Sequence, residues 1–375
     1  METAEPKTFF TDMNDSASRA IQEQGYQQAT VEKADLVWLS TEAFPKYLID
    51  NFNRFAVDKS FRVNHVGNSY ELTRKDLLAR NIQKAQRYLQ KSKSALNFDF
   101  IPKTFVLPQD QSLVLSHFGE SDQLIVKPCG YAQGRGIFVC SVQQLKAWLQ
   151  AEYTQIQAEN EPGSYHAIYL VQQYVVNPLL LYNRKFDLRI YVLLTPTALF
   201  VSHFSFGRFC RLDFDLSNED EQAHLTNACI NHLKLNTVNI KSALSAMYSK
   251  TQINTLSHDI IQLIVHTVSA SLFELNFKPQ MFELFGFDVL ITDKLQPVLM
   301  EVNSSPSLQF DNEEDLNLKK KVVHDCLNVN QSFLKVFEFK KQKGIGEGFE
   351  KFVQEGKVNE EKWKEFGDNM GRAWE

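Results

Sequence analysis

The sequence predicts a mixed α/β (α+β) protein, and three observations carry that prediction. Residues Thr73 to Leu89 repeat apolar positions at helical spacing and are basic on the opposite face. From Phe98 onward, short apolar runs broken by Pro and Gly have the length and boundaries of strands. Phe282 to Asn303 then reads as two apolar strands joined by a polar turn near Asp293, Lys294 and Leu295.

Along the chain, residues 1 to about 30 are polar and Gln-rich and are expected to be poorly ordered. Ala34 to Leu39 is a short buried strand within an N-terminal subdomain, 31–97. The Lys and Arg residues of the Thr73–Leu89 helix in that subdomain read as a solvated face. A central subdomain, 98–180, holds strands Leu124–Pro128 and Gly136–Cys140 around a glycine-rich loop, a helix from Val142 to Glu152 and a strand from Ala167 to Val176. A C-terminal subdomain, 181–336, holds a strand from Lys185 to Thr195, the segment His224 to Asn231, helices near 240–250 and 254–276, and the hairpin. A Lys/Glu-rich tail, 337–375, follows, and no repeat at solenoid periods is present.

With 375 residues, 43% of them hydrophobic and 23% charged, the chain can bury a substantial core in two or three subdomains. A net charge of −5 supplies no global basic field, so nucleic acid is not an expected partner and any acidic partner must be met by local patches. Five scattered cysteines without metal or redox spacing suit a reducing compartment, and Cys129 reads as an inert filler. The start lacks a basic-then-apolar signal, and no apolar run approaches the roughly 20 residues that span a bilayer. A cytoplasmic or cytoskeletal location is expected.

Three clusters carry chemistry. Glu301 and Asn303 lie two residues apart, so strand alternation turns both to one face, and the turn folds Asp288 back beside them. Three oxygen donors on a hairpin suit magnesium, a hard cation usually shared with substrate phosphates. The loop Gly130-Tyr-Ala-Gln-Gly134-Arg-Gly136 can bring backbone N–H groups to phosphate oxygens, with Lys127 at its mouth as a point charge. In Arg184-Lys-Phe-Asp-Leu-Arg189-Ile-Tyr-Val192, alternation buries Phe186, Leu188, Ile190 and Val192 and sets Lys185, Asp187 and Arg189 on the other face, as a charged strand lining an ATP cleft.

These segments occur in a fixed order. Leu124-Ile-Val-Lys-Pro, Gln133-Gly-Arg-Gly-Ile-Phe, Asn177-Pro-Leu-Leu-Leu, Arg184-Lys-Phe-Asp-Leu-Arg, His224-Leu-Thr-Asn and Phe282-Glu-Leu-Phe-Gly-Phe-Asp with Met300-Glu-Val-Asn-Ser-Ser-Pro-Ser resemble the signature of the tubulin tyrosine ligase-like family. The match runs from about Arg62 to Asn328, and Tyr70-Glu-Leu-Thr-Arg-Lys-Asp-Leu, Val126-Lys-Pro-Cys-Gly-Tyr-Ala-Gln-Gly and Arg208-Phe-Cys look most like its tubulin polyglutamylase branch.

The resemblance implies an ATP-grasp fold with ATP and Mg2+ between central and C-terminal subdomains. It implies a ligase that phosphorylates a tubulin carboxylate and lets the amine of free L-glutamate attack the acyl phosphate. By position, Lys127, Gln133, Gly134, Gln172, Gln173, Tyr174, Val175, Lys185, Phe186, Asp187, Thr226 and Asn227 would hold ATP, and Asp288, Glu301 and Asn303 the magnesium. Arg189 would face the acyl phosphate, and Arg208 with Lys319 would bind the incoming glutamate, with Arg211 as the alternative to Arg208. Lys319 also belongs to the run Lys319-Lys-Lys321, which reads equally as a solvated helix face.

The rival readings are a glycine or tyrosine ligase, a glutamylase of a non-tubulin protein, and a catalytically silent microtubule-associated adaptor. The missing large basic region and the resemblance together imply accessory subunits. The family further implies a place on the cytoskeleton, including the axoneme and basal body of a cilium or flagellum.

Overall fold

The computed structural model describes residues 6–13, 15–92, 98–131, 134–161, 163–218, 220–226, 240–308, 313–328 and 333–338. Its strands are β1 (Thr8–Thr11), β2 (Gln27–Gln28), β3 (Leu36–Trp38), β4 (Arg62–Asn64), β5 (Thr104–Leu107), β6 (Gln123–Pro128) and β7 (Phe138–Ser141). They continue with β8 (Tyr169–Gln173), β9 (Leu180–Leu181), β10 (Arg184–Leu194), β11 (Ala198–Phe209), β12 (Met281–Ile291), β13 (Pro297–Ser304) and β14 (Phe333–Glu338).

A large sheet runs β14-β11-β10-β12-β4-β3-β1-β2, with β13 also paired to β12 and β9 to β10. Its N-terminal strands pair in parallel, whereas β10 to β14 pair antiparallel, so β12 is where the two modes meet. The segments 31–97 and 181–336 therefore share one sheet, and a separate four-stranded sheet, β5-β8-β6-β7, lies within 98–180.

Every residue of β12 is buried because both sheet faces are covered. On one face Phe285, Phe287 and Val289 pack with Phe186, Leu188 and Ile190 of β10, beneath helices Lys75–Ser92 and Lys250–Ser271. On the other, Phe282 and Leu284 pack with Tyr191 and Leu193 beneath helices Ser16–Glu23 and Glu313–Asn328. Each large side chain buried in this way contributes about 1.5–3 kcal/mol.

The N-terminal segment departs from expectation. Thr8–Thr11 is a strand of the large sheet, and Ser16–Glu23 is a helix capped by Asp15, whose Oδ1 accepts from the N–H groups of Ala17 and Ser18. Order comes from a few apolar residues among many polar ones: Phe9, Ala17, Ala20 and Ile21 are buried against Val322, Val323 and Cys326 near the other end of the chain.

In the small sheet, Leu124 and Val126 alternate inward to meet Phe105, Val171 and the helix Val142–Trp148. Ser141 starts that helix through a capping box with Gln144. The expected helix to Glu152 is regular only to Trp148 and passes into a π-helical turn, Leu149–Tyr153, in which Trp148 stacks on Tyr153 at 5.1 Å. Among the described residues, no helix is long and apolar enough to cross a membrane.

Candidate active site

The hairpin forms as its sequence suggests. Leu295 takes a positive φ of 58° in the turn, its N–H donating to the Thr292 carbonyl, and β12 and β13 then pair so that Asp288 lies opposite Glu301 and Gly286 opposite Asn303. One residue further, Val289 lies opposite Leu299, which leaves Met300 as an extra residue, a β-bulge. The bulge lets consecutive Met300 and Glu301 both line the cleft.

The Asn303 amide nitrogen lies 3.0 Å from Asp288 Oδ2 and 3.5 Å from Glu301 Oε1, so the three side chains converge. Rotating that amide exchanges its nitrogen for its oxygen, giving two carboxylates and one amide oxygen. Such a donor set fits Mg2+, which keeps positions for water and phosphate oxygens. Among the described residues, no group of three or more His, Cys, Asp or Glu side chains clusters as a metal site.

A buried network of opposite charges fills the cleft floor. Arg189 donates to Asp288 through Nε at 2.6 Å and Nη2 at 3.1 Å. Arg208 donates to Asp187 through Nε at 2.7 Å and Nη2 at 2.6 Å, and its Nη2 is also 2.8 Å from Asp288 Oδ2. Strand register makes this possible, because Arg189 faces Asp288 across β10–β12 and Asp187 faces Arg208 across β10–β11.

Burial alone would raise the Asp288 pKa; Arg189 and Arg208 outweigh it and hold the carboxyl well below the usual carboxylate range. Burial likewise opposes the charge on Arg208, and Asp187 and Asp288 overcome it, so its pKa is raised. Thr226 Oγ1 donates to Asp187, fixing the carboxylate from a third side. Gly286 is required here, since a Cβ would lie 3.0 Å from Pro306 Cβ and 3.1 Å from Arg189 Cδ.

Above this floor is an open cleft of about 510 Å³, part of it open to solvent, lined by Ile125, Lys127, Lys185, Asp187, Thr226 and Met300, among others. Lys127 Nζ donates to Gln172 Oε1 at 2.8 Å, and burial lowers the lysine pKa to about 8. Lys185 Nζ donates to the His224 carbonyl at 2.7 Å and to the Tyr174 hydroxyl at 3.2 Å, and burial lowers its pKa too. Two buried ammonium groups at one cavity suit a polyanionic ligand, the two arginines of the floor being matched by Asp187 and Asp288. The glycine loop ends beside them, with Gly134 and Gly136 at positive φ of 80° and 71°, conformations that favour glycine.

A second cavity of about 470 Å³ lies across Lys127, Met300 and Glu301, which line both. Lys75, from the start of its helix, reaches it and stands 3.5 Å from Glu301 Oε2. Sequence reasoning missed Lys75, whose charge looked like one of a solvated row. Its neighbours hold it there: Arg74 pairs with Asp76 at 2.9 Å and lies over the Tyr165 ring at 4.0 Å, tying the helix start to the loop before β8. Arg74, beside Lys75 in the Thr73-Arg-Lys-Asp motif, was the available signal.

The other expected residues divide. Gln172 and Tyr174 point into the network, whereas Gln173 is exposed and Val175 half-buried. Phe186 lies in the core on the opposite face of β10, stacked on Phe209 at 5.4 Å, so it contributes no side chain to the cleft. Arg208 is buried in the network and Arg211 is exposed. Lys319 is buried on the helix Glu313–Asn328 and is not among the residues lining either cavity, while Lys320 pairs with Glu23. Gln133 and Asn227 lie outside the described residues. Burial pushes the Cys129 thiol up to about 12, which leaves it unreactive.

Comparison with known proteins places this geometry. Residues 55–341 match the tubulin-tyrosine ligase family. The chain is 29% identical over 358 residues to a mouse protein named probable tubulin polyglutamylase TTLL9, covering 84% of this chain and 77% of that one. It is 33% identical to the Tetrahymena thermophila probable alpha-tubulin polyglutamylase Ttll1, covering 71% of each chain, and 33% identical to the human probable tubulin polyglutamylase TTLL2, covering 72% and 46%. Among solved structures, the C-terminal domain of K. lactis Pby1, an ATP-grasp enzyme interacting with the mRNA decapping enzyme Dcp2, superposes with a TM-score of 0.61 over 90% of this chain and 99% of that one at 19% identity. The fold is thus ATP-grasp.

Proposed function

The chain belongs to the tubulin-tyrosine ligase family, and on that premise we propose that it is a tubulin polyglutamylase, an ATP-dependent ligase that adds glutamate to tubulin C-terminal tails. The observation that carries the reading is the buried Arg189–Asp288–Arg208–Asp187 network beneath a cavity with two buried lysines. A protein that only bound microtubules would have no use for such a costly arrangement of desolvated charge.

In this reading ATP lies in the larger cavity. Lys127 and Lys185 meet its phosphates beside the end of the glycine loop at Gly134, and Gln172, Tyr174, Asp187 and Thr226 border the rest of the nucleotide, whereas Phe186, in the core, takes no part through its side chain. Asp288, Glu301 and Asn303 would hold Mg2+, which would offset negative charge on the phosphates.

A tubulin carboxylate oxygen attacks the γ-phosphorus, the bond to the ADP oxygen breaks, and an acyl phosphate forms. The amine of free L-glutamate then attacks the acyl carbon, phosphate leaves and an amide remains. Arg189 stabilises the negative charge of the acyl phosphate, and Arg208 with Lys319 binds the glutamate carboxylates.

Accessory subunits supply further recognition of microtubules, and the site of action includes the axoneme and basal body. Incubating the purified chain with ATP, magnesium, tubulin and labelled glutamate, glycine or tyrosine in turn tests the reading. ATP-dependent glutamate incorporation is expected; selective use of glycine or tyrosine, or none of the three with accessory subunits added, would replace it.

A further inference from the structure

The helix Lys75–Ser92 carries five cations, Lys75, Arg80, Lys84, Arg87 and Lys91, and one acid, Asp76. Asp76 is buried and pairs with Arg74, outside the helix. Arg80, Lys84, Arg87 and Lys91 are exposed and follow one another at intervals of four, three and four residues, so they form one stripe along the helix surface. Lys84 pairs with Glu274 at 2.9 Å. No acidic side chain among the described residues pairs with Arg80, Arg87 or Lys91.

A solvated helix is ordinarily laced with acid–base pairs at such spacings, and like charges four residues apart disfavour it. Here the charges accumulate although the chain as a whole is net negative by five. The same helix begins at the candidate active site, where Lys75 meets Glu301. The stripe lies on the helix face turned away from that contact, since Arg80 to Lys91 are rotated by roughly half a turn from Lys75, Ala79 and Ile82.

We propose that Arg80, Lys84, Arg87 and Lys91 form a docking stripe for an acidic peptide, the unmodified part of the acceptor tail, held outside the cleft while a neighbouring segment rounds the helix start at Lys75. The inference rests on the ligase reading above for the identity of the acceptor. Arg80 to Lys91 spans about 16 Å, the length of about five extended residues; alternate side chains of such a segment face the helix, so about three carboxylates of a glutamate-rich stretch meet the stripe, with Lys84 held by Glu274. Because the contacts are exposed and remote from the reacting atoms, they set acceptor affinity and its salt dependence and leave turnover unchanged.

The test is fluorescence anisotropy of a labelled oligoglutamate peptide with the full chain and with the combined Arg80→Glu, Arg87→Glu, Lys91→Glu variant, at low and physiological salt, beside a single-stranded RNA of equal charge. Peptide binding to the wild type, weakened roughly tenfold or more in the variant with a shallower salt dependence, is the expected result. An unchanged melting temperature and unchanged ATP-analogue binding keep the comparison sound. Equal peptide binding by both proteins, no binding by the wild type, or preference for RNA overturns the stripe. Peptide binding through the stripe by a chain that ligates no amino acid even with accessory subunits added would leave it standing and overturn the ligase reading instead.

Discussion

Arg189 and Asp288 sit opposite each other on neighbouring antiparallel strands and close a two-point ion pair, the carboxylate being buried and shared with Arg208. The pair therefore fixes both arginines at once. Asp288→Asn should remove the charge that compensates them, a loss of about 3–5 kcal/mol for a broken buried pair. Thermal or denaturant unfolding measures it, and a variant as stable as the wild type would show that the arginines find other partners.

Glu301 is less buried and faces Lys75, so its replacement separates chemistry from stability. Glu301→Gln keeps volume and removes a charged ligand. Glutamate incorporation should fall by at least about 10²-fold with the melting temperature nearly unchanged. Wild-type incorporation by the folded variant would end the magnesium assignment.

Gly286 leaves room for the Arg189 side chain to cross β12. Gly286→Ala should push Arg189 from Asp288, destabilising the fold by about 1–3 kcal/mol and slowing ligation. If the alanine protein matches the wild type in both unfolding and turnover, the crossing has slack that the contact distances deny.

Lys319→Ala should raise the glutamate concentration needed for half-maximal incorporation roughly tenfold or more, the loss of about 1.5–3 kcal/mol from a charge-assisted contact. The dependence on ATP should not move. Identical glutamate curves would take Lys319 out of the amino-acid pocket.

Lys127 gives a pH dependence of known sign. Burial lowers its pKa from 10.5 to about 8, despite the opposing effect of Glu301. Folding thus disfavours the ammonium: the penalty is full below about pH 8 and is relieved as pH rises from there toward 10.5. Stability contributed at this position rises across that window, whereas affinity for ATP, which needs the ammonium, falls. Calorimetric titration of ATP at successive pH values should show that decline in the wild type and a flatter profile in Lys127→Gln.

Much of the site was legible because its groups lie on strands, where alternation reports direction. Asp288, Glu301 and Asn303 converge as their spacing says, and Lys185, Asp187 and Arg189 share the cleft face. The same alternation sends Phe186 to the core, against its assignment to the nucleotide by family position. Neither the Arg208–Asp187 pair nor the reach of Lys75 could be read, because both depend on how separate elements align in space. The N-terminal helix was hidden for the same reason, since its apolar partners come about three hundred residues later.

That late partnership shapes how the chain becomes a protein. β4 is completed by β12, His65 bonds to Glu283 across 218 residues, and Glu23 meets Lys320 across 297. A ribosome that has not yet released Met281 presents β4 with an open edge and the first helix with no cover. Contacts this distant in sequence close slowly, and the waiting strands are exposed to pairing with other chains. Fragments of this chain that stop before β12 are therefore expected to aggregate more readily than the full chain.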